Sequence, residues 1–377
     1  MIAENRTTKV VTTMETIDSI PTPALVINAA TVRCNLKRMA DYAGEHKLAL
    51  RPHTKTHKSI QLARMQLELG ATGLTVAKAG EAQVMAQTGA DILLAYPPVD
   101  RARSDAVAQL AKKHTVRVAL DSLTAAKAIS SAANSAQSTV GVLVDIDAGL
   151  HRTGVQSPAA ALALAQDVQR LAGLRLDGLF FYPGHVWLTG DERIAALEKV
   201  DAILRETLDL WRKSGLEARI VSGGSTPTAV DSHRVTCGNE IRPGTYVFND
   251  INCVAAKCAT LEDCAARIVC TVVSDAVPGQ VVLDAGTKTL TSDKCGPAPD
   301  SGHGFIKEFP QAKITKLTEE HGQTDITQCS RAPRIGERVN VIPNHICPCV
   351  NLQDAVWWEE TDGSLHKWSV DARGKLS

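Results

Sequence analysis

The sequence predicts an α/β protein: a (β/α)8 TIM-type barrel followed by a C-terminal, mainly β domain. Three observations carry this. At 377 residues the chain is too long for one ordinary small core, so two domains are expected. From Ala24 to about Ser225 short apolar runs alternate with longer amphipathic stretches, and about eight such units favour a closed barrel over an open sheet. After about Asp250 the pattern changes to short β-branched runs separated by turn residues.

The candidate strands are ALVIN (24–28), LALRPH (48–53), GLTVA (73–77), DILLAY (91–96), VRVAL (116–120), VGVLVDID (140–147), LDGLFFY (176–182) and ARIVSGG (218–224). Between them, Ala30–Glu45, Ala79–Gln87, Arg103–Lys113 and Arg193–Ser214 read as amphipathic helices. In the second domain the stretches 266–286, 338–343 and 355–370 read as strands, with turns centred on Pro278-Gly279 and Asp362-Gly363. Residues 295–304 are turn-rich and predict a long loop.

Forty-one basic residues balance 41 acidic ones, so nothing in the overall charge supports binding to nucleic acid or to an anionic membrane. No apolar run is long enough to span a bilayer. Met1 to Ser19 is polar and lacks the apolar segment of a signal peptide, which predicts a loose tail on a soluble, cytoplasmic protein. In that setting the ten cysteines are expected to be reduced, and Cys34, Cys253, Cys258, Cys264 and Cys270 to be small core residues.

Candidate chemistry gathers where strands meet their following loops, which is where barrel sites lie. LALRPHTKTHK (48–58) is a short apolar run that breaks at Pro52 into two histidines and two lysines. A lysine there either sits in a solvated basic loop or, partly desolvated beside other cations, loses its proton and attacks a carbonyl to form a Schiff base. The second strand end thus offers His53 and Lys55, and the sixth Asp145, Asp147, His151 and Arg152. The seventh offers Tyr182 and His185, and the eighth Ser222-Gly223-Gly224-Ser225-Thr226. Paired glycines let backbone N–H groups approach a phosphate, and two hydroxyls and a helix start near Pro227 would add to that. The run has neither the lysine of a P-loop nor the spacing of a dinucleotide fingerprint.

Near the C-terminus stands Pro343-Asn344-His345-Ile346-Cys347-Pro348-Cys349. On an extended chain His345 and Cys347 share a face, and imidazole with thiolate suits zinc and similar divalent ions. Two donors make an open site and not a closed structural one. A core histidine beside buried cysteines fits the same residues, and His321 is a further contributor or a surface turn.

Taken together, RPHTKTHK, the Gly-Gly-Ser-Thr-Pro-Thr run, RPGTY (242–246), EEHG (319–322), VAKAGE (76–81), Asp284-Ala285-Gly286 and the closing Pro-Asn-His-Ile-Cys resemble the D-threonine aldolase and D-serine dehydratase group. These are pyridoxal 5'-phosphate enzymes of the alanine racemase fold, and the resemblance runs from about Thr22 to the end. It implies a barrel over 30–250, with residues 1–29 joining 251–377 in the β domain, and RPGTYVFND (242–250) as the eighth barrel strand. It also implies a homodimer with its site at the subunit boundary. By matching position, Lys55 would hold pyridoxal phosphate covalently and His53 would lie beside it. Gly223, Gly224, Ser225, Thr226 and Tyr246 would hold the phosphate, and Arg152 and Tyr182 would flank the ring. His345 and Cys347 would bind a divalent metal. The soft thiolate favours zinc over manganese or magnesium.

The expected substrate is a β-hydroxy-D-amino acid. Loss of the hydroxyl proton, with His185 as candidate base, leads to glycine and an aldehyde. Loss of the α-proton to Lys55 leads to a 2-oxo acid and ammonia. The Cys-Pro-Cys-Val-Asn-Leu ending (347–352) resembles the aldolase branch more closely. A racemase would have no need of the metal pair, and a non-catalytic pyridoxal-phosphate-binding protein would have no need of a second domain.

Overall fold

Period-2 apolar runs and capped amphipathic stretches alternate through the first two thirds of the chain, and each becomes the element its pattern specifies. The computed structural model describes residues 15–377; the expected N-terminal tail lies, up to residue 14, outside the described residues. Strand β1 (Ala24–Asn28) leads directly into α1 (Ala29–Glu45). There follow β2 (Ala49–Leu50), α2 (Ile60–Glu68), β3 (Leu74–Val76), α3 (Ala79–Met85), β4 (Ile92–Leu94) and α4 (Arg101–Leu110). The series continues with β5 (Val116–Leu120), α5 (Leu123–Ala136), β6 (Val140–Asp145), α6 (Pro158–Arg170), β7 (Leu174–Phe180), α7 (Gly190–Lys213), β8 (Ile220–Gly223) and β9 (Glu240–Ile241). Helix starts are fixed by side chains: Asn28, Ser59, Asp100, Ser122 and Ser157 each accept the backbone N–H three residues on.

Strands β2-β9-β8-β7-β6-β5-β4-β3 form one parallel sheet, and a bridge between His53 and Thr75 closes it into a barrel. The closing strand is β9, which ends one residue before the expected 242–250 segment; Thr245–Val247 is a 3-10 turn instead. Pro243 has no N–H to give to a ladder. A Cβ on Gly244 would lie 3.0 Å from the His53 carbonyl, so backbone packs on backbone there.

Alternation along β5 and β6 sends Val116, Val118, Leu120, Val140, Val142 and Val144 into the apolar layer under the helices. The opposite face looks into the barrel. Its upper layer is apolar, with Leu93, Ala119, Leu143 and Phe180. Its lower layer is ionic. Arg51 donates to Glu240 at 2.8 Å and to Asp91 at 2.9 Å; Arg117 bridges Asp91 and Asp177, and Arg175 meets Asp177 at 2.6 Å. Gly73 and Gly141 leave the room, since a Cβ at either would collide with Arg51 or with Asp177.

The β domain takes β1 together with α8 (Ile251–Ala255), β10 (Ala266–Ser274), β11 (Gln280–Leu283), α9 (Thr287–Leu290) and β12 (Phe305–Ile306). It is completed by β13 (Lys313–Leu317), β14 (Gly322–Asp325), β15 (Arg338–Ile342), α10 (Ile346–Asn351), β16 (Ala355–Glu359) and β17 (Leu365–Ser369). The order is β13-β14-β11-β10-β1-β16-β17, with β15 on β10 and β12 on β15. Strand β1 therefore sits inside this sheet, antiparallel to β10 and parallel to β16. Gly279 and Gly363 adopt φ of +77° and +81° at the two expected turns. The interior is apolar, built on Ile27, Ile268, Cys270, Val339, Val341 and Trp358.

All ten cysteines are free thiols, but Cys34 is exposed on α1 and not in a core, because it falls on the outer face of that helix. Among the described residues no helix is long and apolar enough to cross a membrane.

Candidate active site

The loop after β2 is held from below so that one lysine is left facing the barrel mouth. The Thr54 N–H donates to the Thr75 carbonyl at 2.8 Å, and its hydroxyl donates to Glu81 at 2.9 Å. Glu81 is fully buried and also accepts the Ala77 N–H at 2.8 Å. His57 takes the Ser59 N–H on Nδ1 at 3.1 Å, so its Nε2–H faces Gln66 Oε1 at 3.2 Å. The Gln66 amide in turn donates to the Tyr246 hydroxyl at 3.0 Å. Burial drops the His57 pKa to about 4, which keeps this relay neutral.

Lys55 projects between two lobes of one cleft, about 290 Å³ and about 450 Å³ in volume, both lined by His53, Lys55, Tyr182 and Arg242. The first lobe is also lined by Ser225, Thr226, Asp293, His345 and Cys347. The second holds Gly224, Asp145, Arg152 and Phe180. The residues expected at the lysine end and at the metal end thus share one cavity.

Where a phosphate would sit, Gly224 has a φ of +91°, and a Cβ on Gly223 would run into the Phe181 ring. The N–H groups of Gly244 and Tyr246 converge on Thr226 Oγ1, each at 3.3 Å. Tyr246 contributes through its backbone, because its side chain is buried against Gln66. The helix expected at Pro227 is only a 3-10 segment, Ala229–Arg234. Paired glycines, two hydroxyls and converging N–H groups, opposite a lysine, fit pyridoxal phosphate.

Arg242 stacks 3.7 Å over Phe180 and donates to Ser222 and to the Phe181 carbonyl. Burial lowers its pKa to about 10. Burial, then the charges of Lys55 and Arg242, push His53 well below the usual imidazole range. Asp145 is raised to about 6, chiefly by burial. The Arg152 guanidinium lies 4.9 Å from the Tyr182 ring centroid.

At the far wall the His-x-Cys pair does not lie on an extended strand as expected. His345 is the last extended residue, and Cys347 falls in the first turn of α10. The cause is Asp250, whose Oδ2 accepts the Ile346 N–H at 3.1 Å and starts the helix there. His345 Nδ1 meets Asp293 at 2.7 Å, the carboxylate–imidazole arrangement that orients a metal-binding histidine. Burial lowers the imidazole, but Cys347 and then Asp293 outweigh it and raise the pKa to about 9. Burial raises the Cys347 thiol, but His345 and Lys55 outweigh it and hold it below the usual range. Thr56 Oγ1 lies 3.1 Å from Cys347 Sγ. Imidazole and thiolate side by side suit a zinc-like ion. Among the described residues no group of three or more His, Cys, Asp or Glu that could hold a metal is found, and His345 and Cys347 stand as two candidate donors.

Cys349 is buried in the β-domain core, and His321 lies on the exposed turn between β13 and β14. His185 lines neither lobe; its ring packs over Gly149, near Asp147 and His151. Thr56, Asp250 and Asp293 were not legible as site residues, because only the fold brings them to His345 and Cys347. Arg242 could have been found, since it opens the RPGTY motif.

The model for "Alanine racemase, N-terminal domain" matches residues 27–251, and that for "Putative serine dehydratase domain" matches 265–358. A D-threonine aldolase from Arthrobacter sp. is 32% identical over 362 residues, covering 94% of this chain and 93% of its own. D-threo-3-hydroxyaspartate dehydratase from Delftia sp. is 30% identical over 378 residues, covering 94% of this chain and 98% of its own. The solved D-threonine aldolase of Filomicrobium marinum superposes with a TM-score of 0.88 at 31% identity, over 97% of this chain and 99% of that one. Both matched domains run in order along the barrel and the β domain just described, and the chain belongs to the D-threonine aldolase and D-serine dehydratase group of the alanine racemase fold.

Proposed function

We propose that the protein is a pyridoxal-phosphate- and divalent-metal-dependent lyase that cleaves β-hydroxy-D-amino acids to glycine and an aldehyde. The observation that carries this is the single cavity lined by Lys55 and by the His345/Cys347 pair. Pyridoxal phosphate, when bound, supplies an electron sink for the bond broken at Cα. Lys55 would hold it covalently. Gly223, Gly224, Ser225, Thr226 and the Tyr246 backbone would hold its phosphate, with His53, Arg152 and Tyr182 around it. His345 and Cys347 would hold the metal, zinc by preference. A metal there lowers the pKa of a hydroxyl and eases its proton loss. His53, whose pKa burial pushes well below the usual imidazole range, would stay neutral beside the cofactor. His185, turned to Gly149, is given no step. A cytoplasmic homodimer belongs to the same proposal.

The relatives support a lyase, since they include D-threonine and 3-hydroxy-D-aspartate aldolases as well as dehydratases. The test is to incubate the loaded protein with D-threonine, D-phenylserine and D-serine. Glycine with the matching aldehyde is the expected result. A 2-oxo acid with ammonia would replace the aldolase reading by the dehydratase one, and recovery of the L-enantiomer alone would replace both by a racemase.

A further inference from the structure

We propose that Cys253 and Cys258 form a redox-active thiol pair in the wall of the active site, which closes to a disulfide when a hydroperoxide reaches it. The placement follows from how α8 begins and ends. Asp250 Oδ1 accepts the Cys253 N–H at 3.0 Å and fixes the start. At the other end Lys257 takes a left-handed φ of +54°. Its N–H then reaches the Val254 carbonyl at 3.0 Å, and the Cys258 N–H reaches the Cys253 carbonyl, also at 3.0 Å. This double closure folds the chain back over the last helical turn and sets the two outer residues side by side, a contact usually filled by an apolar pair. Here both are cysteines. Cys258 Sγ lies 3.2 Å from the Cys253 carbonyl, so its thiol is turned back onto residue 253.

The partners differ in access. Cys253 is buried and lines the lobe that holds His345, whereas Cys258 is half-buried and opens onto an outer surface hollow beside Lys257 and Thr260. Arg193 is anchored beside the pair, donating to the Ala256 carbonyl at 2.6 Å. The hydrogen bond from Cys253, and then the Arg193 charge, hold Cys258 below the usual thiol range. Its outer position marks Cys258 as the member oxidised first and buried Cys253 as the one that resolves it.

The steps balance. The Cys258 thiolate attacks one peroxide oxygen, the O–O bond breaks, and hydroxide leaves a sulfenic acid on Cys258. The Cys253 sulfur then attacks the Cys258 sulfur, the S–O bond breaks, and the departing hydroxide takes the Cys253 proton as water. The two cysteines lose two electrons, and the peroxide is reduced to two waters. The bridge would clamp α8, whose Ile251 and Asn252 N–H groups rest on the Pro343 and Asn344 carbonyls just ahead of His345.

The test is to treat the full chain with hydrogen peroxide and map its peptides without reduction. Lys257 lies between the two cysteines, so trypsin separates them and a bridge appears as two joined peptides. The expected result is joined peptides that dithiothreitol releases. They should persist in Cys237→Ser and Cys264→Ser and vanish in Cys253→Ser and Cys258→Ser. In Cys253→Ser, dimedone should trap the sulfenic acid on Cys258. Separate peptides with free thiols at 253 and 258, in a sample whose exposed Cys34 is fully oxidised, would overturn the proposal. So would a bridge from either cysteine to Cys237 or Cys264. None of these readouts depends on the lyase reading.

Discussion

Lys55 and His345 reach the same cavity from two halves of the molecule that are held in different ways. The barrel half positions its groups at strand ends, over an ionic layer in which Arg51, Asp91, Arg117, Asp177 and Glu240 each find a partner of opposite charge. The β half has an apolar interior and positions its groups through two carboxylates, Asp250 on a backbone N–H and Asp293 on an imidazole. The first arrangement is rigid in direction, since every partner fixes the next. The second depends on single contacts. Damage to the barrel half should therefore cost folding or cofactor retention, and damage to the β half should cost metal affinity.

The comparison is broken most severely at Lys55. Lys55→Ala should take lyase activity to background and remove the visible absorbance of bound pyridoxal phosphate, while metal binding by equilibrium dialysis persists; an unchanged spectrum would rule this lysine out. Next comes the ionic layer. Arg51→Ala leaves Glu240 buried without its ion-pair partner and half-buried Asp91 with Arg117 alone, and should cost about 3–5 kcal/mol in urea unfolding. Adding Asp91→Asn should recover part of that loss, and full additivity would argue against a coupled layer.

His57 gives the barrel half an acid-sensitive point. Its pKa is depressed to about 4 in the fold, against 6.5 for a free histidine, so between those values the unfolded chain binds more protons. Its contribution is whole above pH 6.5 and is lost as pH falls towards 4, on the order of 3 kcal/mol in all. Measured by urea unfolding over that window, His57→Asn should flatten the decline; an unchanged slope would place the proton elsewhere. The smallest effect is expected from the β half. Asp293→Asn should weaken metal binding by roughly 10–100-fold with cofactor absorbance retained, and unchanged affinity would remove Asp293 from the site.

The barrel half was also the more legible of the two. Strand 116–120 comes out residue for residue, because its apolar run is written locally. Lys55 and the Gly-Gly-Ser-Thr turn sit at strand ends, where barrel chemistry is sought first. The β half hid its geometry because it depends on distant partners. Nothing near Ile346 reveals that a carboxylate from residue 250 would start a helix there and turn Cys347 out of an extended run. The ionic layer was invisible for the same reason, since Arg51, Asp91 and Glu240 each read as ordinary charged residues beside a strand.

The position of β1 sets a timetable. It leaves the ribosome ahead of the barrel, yet both of its neighbours in the sheet, β10 and β16, lie beyond the whole barrel. Val26 and Ile27, fully buried in the finished protein, must wait uncovered while the barrel is synthesised. Chaperone demand should accordingly last until β16 emerges, and a nascent chain stalled before residue 355 would carry β1 with no partner on one side.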